Sequence, residues 1–208
     1  MSGVAEIYDV ELDPTKESIV AHFGAIQDLL GSYRFVDPDG KVGIEIHIGH
    51  DMERRLMQFA TVYTETDEAP EALFTATEHP VLGTRYVAPL TSNAVAVREV
   101  IRVILEADNG AEYSNGSGPA VDVRGSGTEE ELSSVGAVKI SEYTRQRAVG
   151  TVLIDDKPRS FLLRIPNLLV PGREIARGHT TSRMRLTGWP PENPEDKRVL
   201  AELSWMDR

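Results

Sequence analysis

The 208-residue chain contains no cysteine, which excludes disulfide bonds, thiolate metal ligands and cysteine nucleophiles. It also has no run of about 18 apolar residues, the length that a membrane-spanning helix needs. Its first ten residues lack both the basic segment and the apolar core of a signal peptide. These absences predict a cytoplasmic protein that does not enter a membrane.

Positive charge is scarce, because 22 Lys and Arg residues stand against 33 Asp and Glu residues and the net charge is −11. Nucleic-acid binding needs many cations on one surface, so no nucleic-acid partner is expected. Residues 157–185 are an exception, with seven basic residues and one acid. These cations are either solvated strand and loop positions or a docking surface for phosphate or an acidic protein.

Arginine suits the phosphate hypothesis because its paired donors match phosphate oxygens. The basic loop at residues 173–185 and the strand before it supply the candidates. The candidate ligand-binding residues are Arg164, Arg173, Arg177, Arg183 and Arg185.

Catalytic motifs are also missing. No Walker A sequence occurs, and neither Gly116-Ser117-Gly118 nor Gly125-Ser126-Gly127 completes a dinucleotide-binding fingerprint. No serine lies in a nucleophile-elbow pattern. The sequence therefore predicts no catalytic residue of these classes and no cofactor.

Histidines and acids come together only around residues 45–51. His47, His50 and Asp51 have the composition of a metal site, but we expect His47 on the outer strand face and His50 in a turn. An ordinary polar strand edge is therefore expected, with no metal. Glu45 and His47 share a strand face, so an acid–base pair is an alternative that lacks a third group.

Apolar periodicity in the first half predicts alternating strands and two helices. Period-two alternation predicts strands over residues 4–12, 32–36, 42–48 and 56–63, and one or two short strands within 73–87. Helical spacing predicts a helix that starts at Pro14, with Asp13 as its N-cap, and that either continues to about Leu30 or is shortened at Gly24. A second helix is predicted to run to about Asp108, with Thr91 or Ser92 as its N-cap. Its predicted polar face consists of Arg98, Glu99, Arg102 and Glu106.

The second half changes in character after residues 109–119, NGAEYSNGSGP, which have the composition of a linker. Strands are predicted over residues 120–124, 137–143, 148–154, 159–165, 183–189 and 198–205, with a hairpin turn at 155–158. We therefore predict an α+β domain at 1–108, a linker at 109–119 and a mainly β domain at 120–208.

Three strings occur in the order and with the spacing of one known domain. They are LDPTK at residues 12–16, DPDGKVGIE at 37–45 and EHPVLGTRYV at 78–87. Over residues 4–105 the chain resembles the N-terminal cap domain of bacterial maltokinases, and the third string is the most specific. The chain departs from the family at residues 62–66, which replace a Tyr-Arg-Gly segment, and at Tyr86, where the family often has Trp.

The resemblance implies a cystatin-like fold, in which helices pack on a curved antiparallel sheet. It also implies that the second half resembles the intermediate β subdomain of such kinases. The family-motif residues are expected to be structural: the glycines would serve backbone geometry, and Glu78 and Arg85 would form an ion pair. These residues are Pro14, Gly43, Glu45, Glu78, His79, Gly83 and Arg85.

The sequence shows neither the ATP-contacting lysine nor the catalytic loop of such kinases in a recognisable form. Arg164 is the best match to their ATP-contacting lysine, and arginine does not replace lysine freely in that role. No His-Gly-Asp catalytic loop occurs, and the chain ends at Arg208 before a helical lobe could begin. The chain is therefore expected not to be a working kinase.

The resemblance favours a non-enzymatic accessory protein, like the stand-alone cap-like proteins of actinobacteria. Its expected partner is a sugar kinase or another enzyme of trehalose, maltose or glycogen metabolism. The alternative is a binder of nucleotide or phosphorylated sugar through the basic loop at 173–185. A hydrolase or isomerase using Glu45, His47 and His79 is a third, less favoured hypothesis.

Overall fold

Two antiparallel sheets and two α-helices make up most of the molecule. The computed structural model describes residues 3–67, 69–127, 134–171 and 184–206. These form the helices α1 (Lys16–Gly24) and α2 (Ala94–Leu105), and short 3-10 helices at Pro70–Ala72 and Leu90–Ser92. The strands of the first half are β1 (Val4–Ala5), β2 (Asp28–Val36), β3 (Gly43–His50), β4 (Leu56–Thr64), β5 (Thr75–His79) and β6 (Gly83–Pro89). Those that follow are β7 (Glu112–Tyr113), β8 (Asp122–Gly125), β9 (Val135–Thr144), β10 (Arg147–Ile154), β11 (Lys157–Arg164), β12 (Met184–Trp189) and β13 (Arg198–Trp205).

The strands form a five-stranded sheet in the order β2-β3-β4-β6-β5 and a six-stranded sheet in the order β8-β12-β13-β11-β10-β9. All pairings within both sheets are antiparallel, and β1 pairs with β7 in parallel. The coarse α+β prediction, with mainly antiparallel strands, is confirmed. Neither α-helix has the length and apolar character that crossing a bilayer would need in the described part of the chain.

Turn chemistry explains why two of the hairpins form where the sequence predicts turns. After β2, the Asp37 carboxylate accepts backbone N–H groups of Asp39, Lys41 and Val42 at 3.1, 2.9 and 3.0 Å. Between β10 and β11, two consecutive aspartates adopt φ of 48° and 61°. This is the left-handed pair that a tight two-residue hairpin requires.

The first helix differs from its prediction at the N-cap, and at the other end it takes the shorter of the two predicted lengths. Thr15, rather than Asp13, caps α1, because its side chain accepts the Ser18 N–H at 3.2 Å. The helix ends at Gly24, where Ala25 adopts a left-handed φ of 57°, and the chain continues as β2 from Asp28. The apolar residues that continue the helical spacing beyond Gly24, up to Leu30, therefore lie outside the helix.

The strand predicted over residues 4–12 is also shorter than expected. Only Val4–Ala5 pairs as a strand, and residues 6–12 then cross to Asp13, which bridges to Glu78 on β5. We call residues 6–13 the strap. Asp13 and Glu78 exchange two backbone hydrogen bonds of 3.1 and 2.8 Å, so the strap is fixed at this end to the edge of the five-stranded sheet.

Helix α2 lies at the centre of the main core. Asn93, and not the predicted Thr91 or Ser92, caps it by accepting the Ala96 N–H at 3.0 Å. Its last residue is Leu105, so the helix is shorter than the predicted end at Asp108. It contacts β8, β12 and β9, which lie towards both ends of the six-stranded sheet, so that sheet curves around the helix. The core members from both sheets and α2 include Ile44, Ile46, Ile48, Val97, Ile101, Ile104, Phe161, Leu163, Leu186 and Leu203.

One residue of the predicted polar face of α2 is buried. Glu99 is only 2% exposed, and its carboxylate pairs with Arg98 at 3.0 Å and with Arg102 at 2.8 Å. Arg102 also reaches Glu106 and Asp108. Burying a carboxylate is tolerated here because it is paired and hydrogen-bonded.

The segment predicted to be a linker, 109–119, runs along the outer edge of β2. Arg34 and Ser32 of β2 accept backbone N–H groups from Ala111 and Ala120, both at 2.9 Å, and β7 pairs with β1. Covering a sheet edge in this way blocks pairing with other chains. The described parts of 1–108 and 120–208 contribute to one core cluster, while the predicted domain boundaries stay a prediction.

Gln58 joins the two sheets through buried hydrogen bonds. On β4 it accepts from Tyr33 Oη at 3.1 Å and donates from Nε2 to the carbonyls of Pro166 and Leu200, both at 2.7 Å. Its own N–H donates to Asn167 O at 2.7 Å. The side chain is 1% exposed, so each of these partners depends on it for a hydrogen bond away from water.

Replacing Gln58 with Met should lower the free energy of unfolding by about 2 to 4 kcal/mol, because a hydroxyl and two carbonyls lose their buried partner while the volume hardly changes. Urea unfolding at neutral pH measures this. The matched control is Gln27→Met, at an exposed position, which should change stability by less than about 0.5 kcal/mol. Equal losses in the two variants would show that the buried link contributes nothing.

Candidate functional site

A cavity of about 430 Å³ opens between the N-terminal segment and one face of the five-stranded sheet. The strap contributes Tyr8, Val10 and Leu12 to its lining, and the first residue of α1, Lys16, lies at its side. We call this space the strap cavity. Four of the seven family-motif residues line it: Gly43, Glu45, His79 and Arg85.

Glu45 forms the charged base of the cavity. On β3 it alternates with Ile44 and Ile46, which face the main core, so its side chain points to the opposite face. Its Oε1 accepts from Lys16 Nζ at 2.9 Å, Ser32 Oγ at 2.7 Å and Arg34 Nη2 at 3.1 Å. None of the described residues donates to Oε2. The carboxylate therefore has one fully used oxygen and one with remaining capacity.

Burial by itself would raise the pKa of the Glu45 carboxyl. Three positive charges act against burial: His47, which is protonated only in acid, the Lys16 ammonium and the Arg34 guanidinium. Together with the Lys16 hydrogen bond they hold the pKa of Glu45 well below its ordinary value. Glu45 is therefore ionised throughout the physiological pH range. Such a carboxylate accepts hydrogen bonds but has no proton to give.

His47 is not on a polar outer edge, as the sequence suggested, but is 1% exposed. Helix α1 covers this face of the sheet and buries Ile19 and Val20 there. His47 Nε2 lies 3.2 Å from Tyr63 Oη and 3.4 Å from Thr61 Oγ1. Burial lowers the pKa of His47 to about 4, so the ring is neutral at pH 7.

The β5–β6 turn shows what the EHPVLG string does locally. His79 Nδ1 accepts the backbone N–H groups of Val81 and Leu82, both at 3.1 Å, which places the ring proton of neutral His79 on Nε2. Gly83 follows with φ of 73°, a conformation that favours glycine. The string therefore shapes the turn and leaves one imidazole donor beside the cavity.

The predicted ion pair between Glu78 and Arg85 is wrong. Glu78 pairs with Thr84 in the strand register and accepts its hydroxyl at 2.7 Å. Arg85 is the next residue along β6 and so faces the other side of the sheet. It lines the strap cavity and pairs with Glu65 at 3.3 Å.

Gly43 is exposed although it is the first residue of β3, a strand that lies between β2 and β4. A Cβ atom at this position would be 3.3 Å from Tyr63 Cβ, so a side chain here would occupy cavity space. Pro14 borders the same region, where its carbonyl accepts the Thr77 hydroxyl at 2.9 Å. Sequence reasoning identified these positions as structural and missed that Lys16, Arg34 and Tyr63 line the cavity with them.

Two of the five candidate arginines of the phosphate hypothesis come together on the six-stranded sheet. Arg164 and Arg185 both stand opposite Glu202 in the strand register, and Arg164 Nη1 lies 4.0 Å from its carboxylate. Arg164 is 64% exposed. Arg173, Arg177 and Arg183 lie outside the described residues.

Comparison with known proteins adds no family: the scan against family models gives no match, and the search of curated proteins gives none either. In the described ranges, no group of three His, Asp or Glu side chains is arranged to hold a metal ion. The candidate site is therefore defined by geometry and charge, with the strap cavity as its centre.

The buried neutral histidine predicts an acid-sensitive fold. The unfolded chain binds a proton at His47 near its ordinary pKa of 6.5, and the folded chain only near about 4. This contribution to stability is complete above pH 6.5 and is lost as the pH falls to about 4, a change of about 3 kcal/mol.

Urea unfolding of the wild type and of His47→Gln, measured between pH 7.5 and pH 4, tests this. The wild type should lose about 3 kcal/mol more than the variant over that interval. The difference between the two should stay constant above pH 7, which serves as the internal control. Parallel stability profiles down to pH 4 would show that His47 is not buried in its neutral form.

Proposed function

We propose that the chain is a non-catalytic, cap-like accessory protein related to the N-terminal region of maltokinase-type sugar kinases. It would dock on a sugar-kinase lobe, or on another enzyme of trehalose, maltose or glycogen metabolism. One observation carries the proposal: exposed apolar side chains gather at the mouth of the strap cavity. Of the nine exposed large hydrophobic residues in the described chain, four line the cavity, and a fifth, Val81, adjoins one of them in the β5–β6 turn. They are Val4, Tyr8, Val10, Val81 and Leu82.

Such a cluster supports protein contact because contiguous exposed apolar surface is uncommon unless it is used. Val81 and Leu82 stand on the β5–β6 turn that His79 holds in shape. Tyr8 on the strap packs edge-on against His79, with ring centroids 5.1 Å apart. The cluster is therefore presented by anchored segments. We call these five residues the apolar rim.

The proposal includes a finer fold assignment. A cystatin-like arrangement for residues 4–105 is supported by the antiparallel five-stranded sheet and by α2, which packs against it in the main core. The six-stranded sheet would then correspond to the intermediate β subdomain of related kinases. Its curvature around α2 supports a unit in which both halves act together.

A binding role is also favoured by the state of the acid–base candidates. Glu45 is ionised and ion-paired, His47 is buried under α1, and His79 Nδ1 already accepts two backbone N–H groups. Glu45 has no proton to give, His47 is shielded from the cavity, and the accepting nitrogen of His79 is occupied, so only the His79 Nε2–H is left, as a hydrogen-bond donor. The nucleotide or sugar-phosphate alternative and the expected cytoplasmic location stay predictions.

Co-purification from the organism that encodes the chain, followed by reconstitution with the recombinant partner, tests the docking proposal. The wild type should recover a sugar-kinase lobe or an enzyme of the named pathways in a stoichiometric amount. Val81→Asp with Leu82→Asp should weaken that binding at least about tenfold, because two charges enter the apolar contact. The matched control is Met52→Asp, at another exposed apolar residue, which should bind like the wild type.

Two results would contradict the proposal. A partner retained equally by the double rim variant and by the wild type would place docking elsewhere. ATP turnover by the purified chain, abolished by a single substitution within it, would show that the protein is an enzyme.

A further inference from the structure

The base of the strap cavity holds a buried carboxylate that is only partly satisfied. The Glu45 side chain is 6% exposed, and its three hydrogen bonds all end on Oε1. No donor from the described residues reaches Oε2. Oε2 is therefore the carboxylate oxygen that is left open to the cavity, where water or a donor from a bound molecule can reach it.

The inner lining also carries an excess of positive charge. Lys16, Arg34 and Arg85 are 31%, 20% and 14% exposed, and two buried acids, Glu45 and Asp37, stand against them. Asp37 is already engaged by three backbone N–H groups. The remaining charged residues of the lining, Glu6, Lys41 and Glu65, are exposed at the mouth. Arg85 is paired with Glu65 at 3.3 Å, so the cation of the inner group that lacks a buried acid has only an exposed one as its partner.

Arg34 also has a hydrogen-bond donor that is not used within the described chain. Its Nη1 donates to Glu6 O and its Nη2 to Glu45, both at 3.1 Å, but its buried Nε has no partner among the described residues. Arg85 has only its own neighbour's carbonyl and the exposed Glu65. Guanidinium groups with spare donors recognise carboxylates well.

The strap cavity also has the volume and the apolar walls that a small organic molecule needs. The cavity volume of about 430 Å³ falls within the range of small-molecule sites, about 300 to 1,000 Å³. Gly43 leaves the sheet open beside Glu45, and Val10, Leu12 and Leu82 supply apolar surface from the strap and the β5–β6 turn. A ligand that fits has a charged end and a short hydrocarbon body.

We propose that the strap cavity binds a small amphipathic hydroxycarboxylate. The ligand hydroxyl donates to Glu45 Oε2, the carboxylate lies against the inner cations, and the hydrocarbon body packs under the strap. Ligand binding in the strap cavity is a separate proposal from docking. It is tested on the isolated chain, so it can fail or hold whatever the docking experiment shows.

Three probes of one size separate the interactions in calorimetric titrations of the wild type. These are α-hydroxyhexanoate, hexanoate, which lacks the hydroxyl, and the vicinal hexanediol, which lacks the carboxylate. The Kd of α-hydroxyhexanoate should be at least about tenfold lower than that of either analogue, as expected for one charge-assisted hydrogen bond. Equal Kd values for the hydroxy acid and one of its analogues, or no binding of any probe at millimolar concentration, would overturn the proposal.

Two variants locate the binding. In Glu45→Gln the three donors keep the amide oxygen at the Oε1 position, so an N–H faces the ligand hydroxyl and the preference over hexanoate should fall to about twofold or less. Gly43→Val should abolish binding of all three probes by filling the cavity. Thr151→Val, on an exposed strand position of β10, is the control and should bind like the wild type. A folded Gly43→Val that binds unchanged would show that the probes bind elsewhere.

Discussion

Strand β3 is buried on both faces, and much of the rest follows from that constraint. Its isoleucines face the core around α2, while Glu45 and His47 face α1 and the strap. A carboxylate in this position needs compensating charge, which Lys16 and Arg34 bring from α1 and β2. The same alternation therefore produces the hydrophobic core, the ionised base of the cavity and the neutral histidine beside it.

The strap converts that sheet face into a cavity with a defined mouth. It is fixed where β1 pairs with β7 and where Asp13 bridges to Glu78. Between these anchors it carries Tyr8 and Val10, which face both the cavity and solvent. One short segment thus supplies part of the apolar rim proposed for docking and part of the wall proposed for ligand binding.

Much of the fold was predictable because its signals are local. The strands of the second half fall within a few residues of their predicted positions, since alternation and the aspartate turn specify them without distant contacts. The errors occur where distant contacts decide. Helix α1 stops at Gly24, where an added Cβ would lie 2.6 Å from Phe59 Cγ. Glu99 is buried although the helical pattern marks its face of α2 as polar.

For the candidate site, the sequence by itself determined the strand face shared by Gly43, Glu45 and His47, the turn around Gly83 and the charge balance of the chain. Only the tertiary structure decided that Lys16 and Arg85 reach the cavity, that Glu78 and Arg85 point apart, and that residues 109–119 cover a sheet edge. The physical reason is that periodicity fixes which side of one element a residue occupies. What lies on that side depends on pairings between segments far apart in the chain.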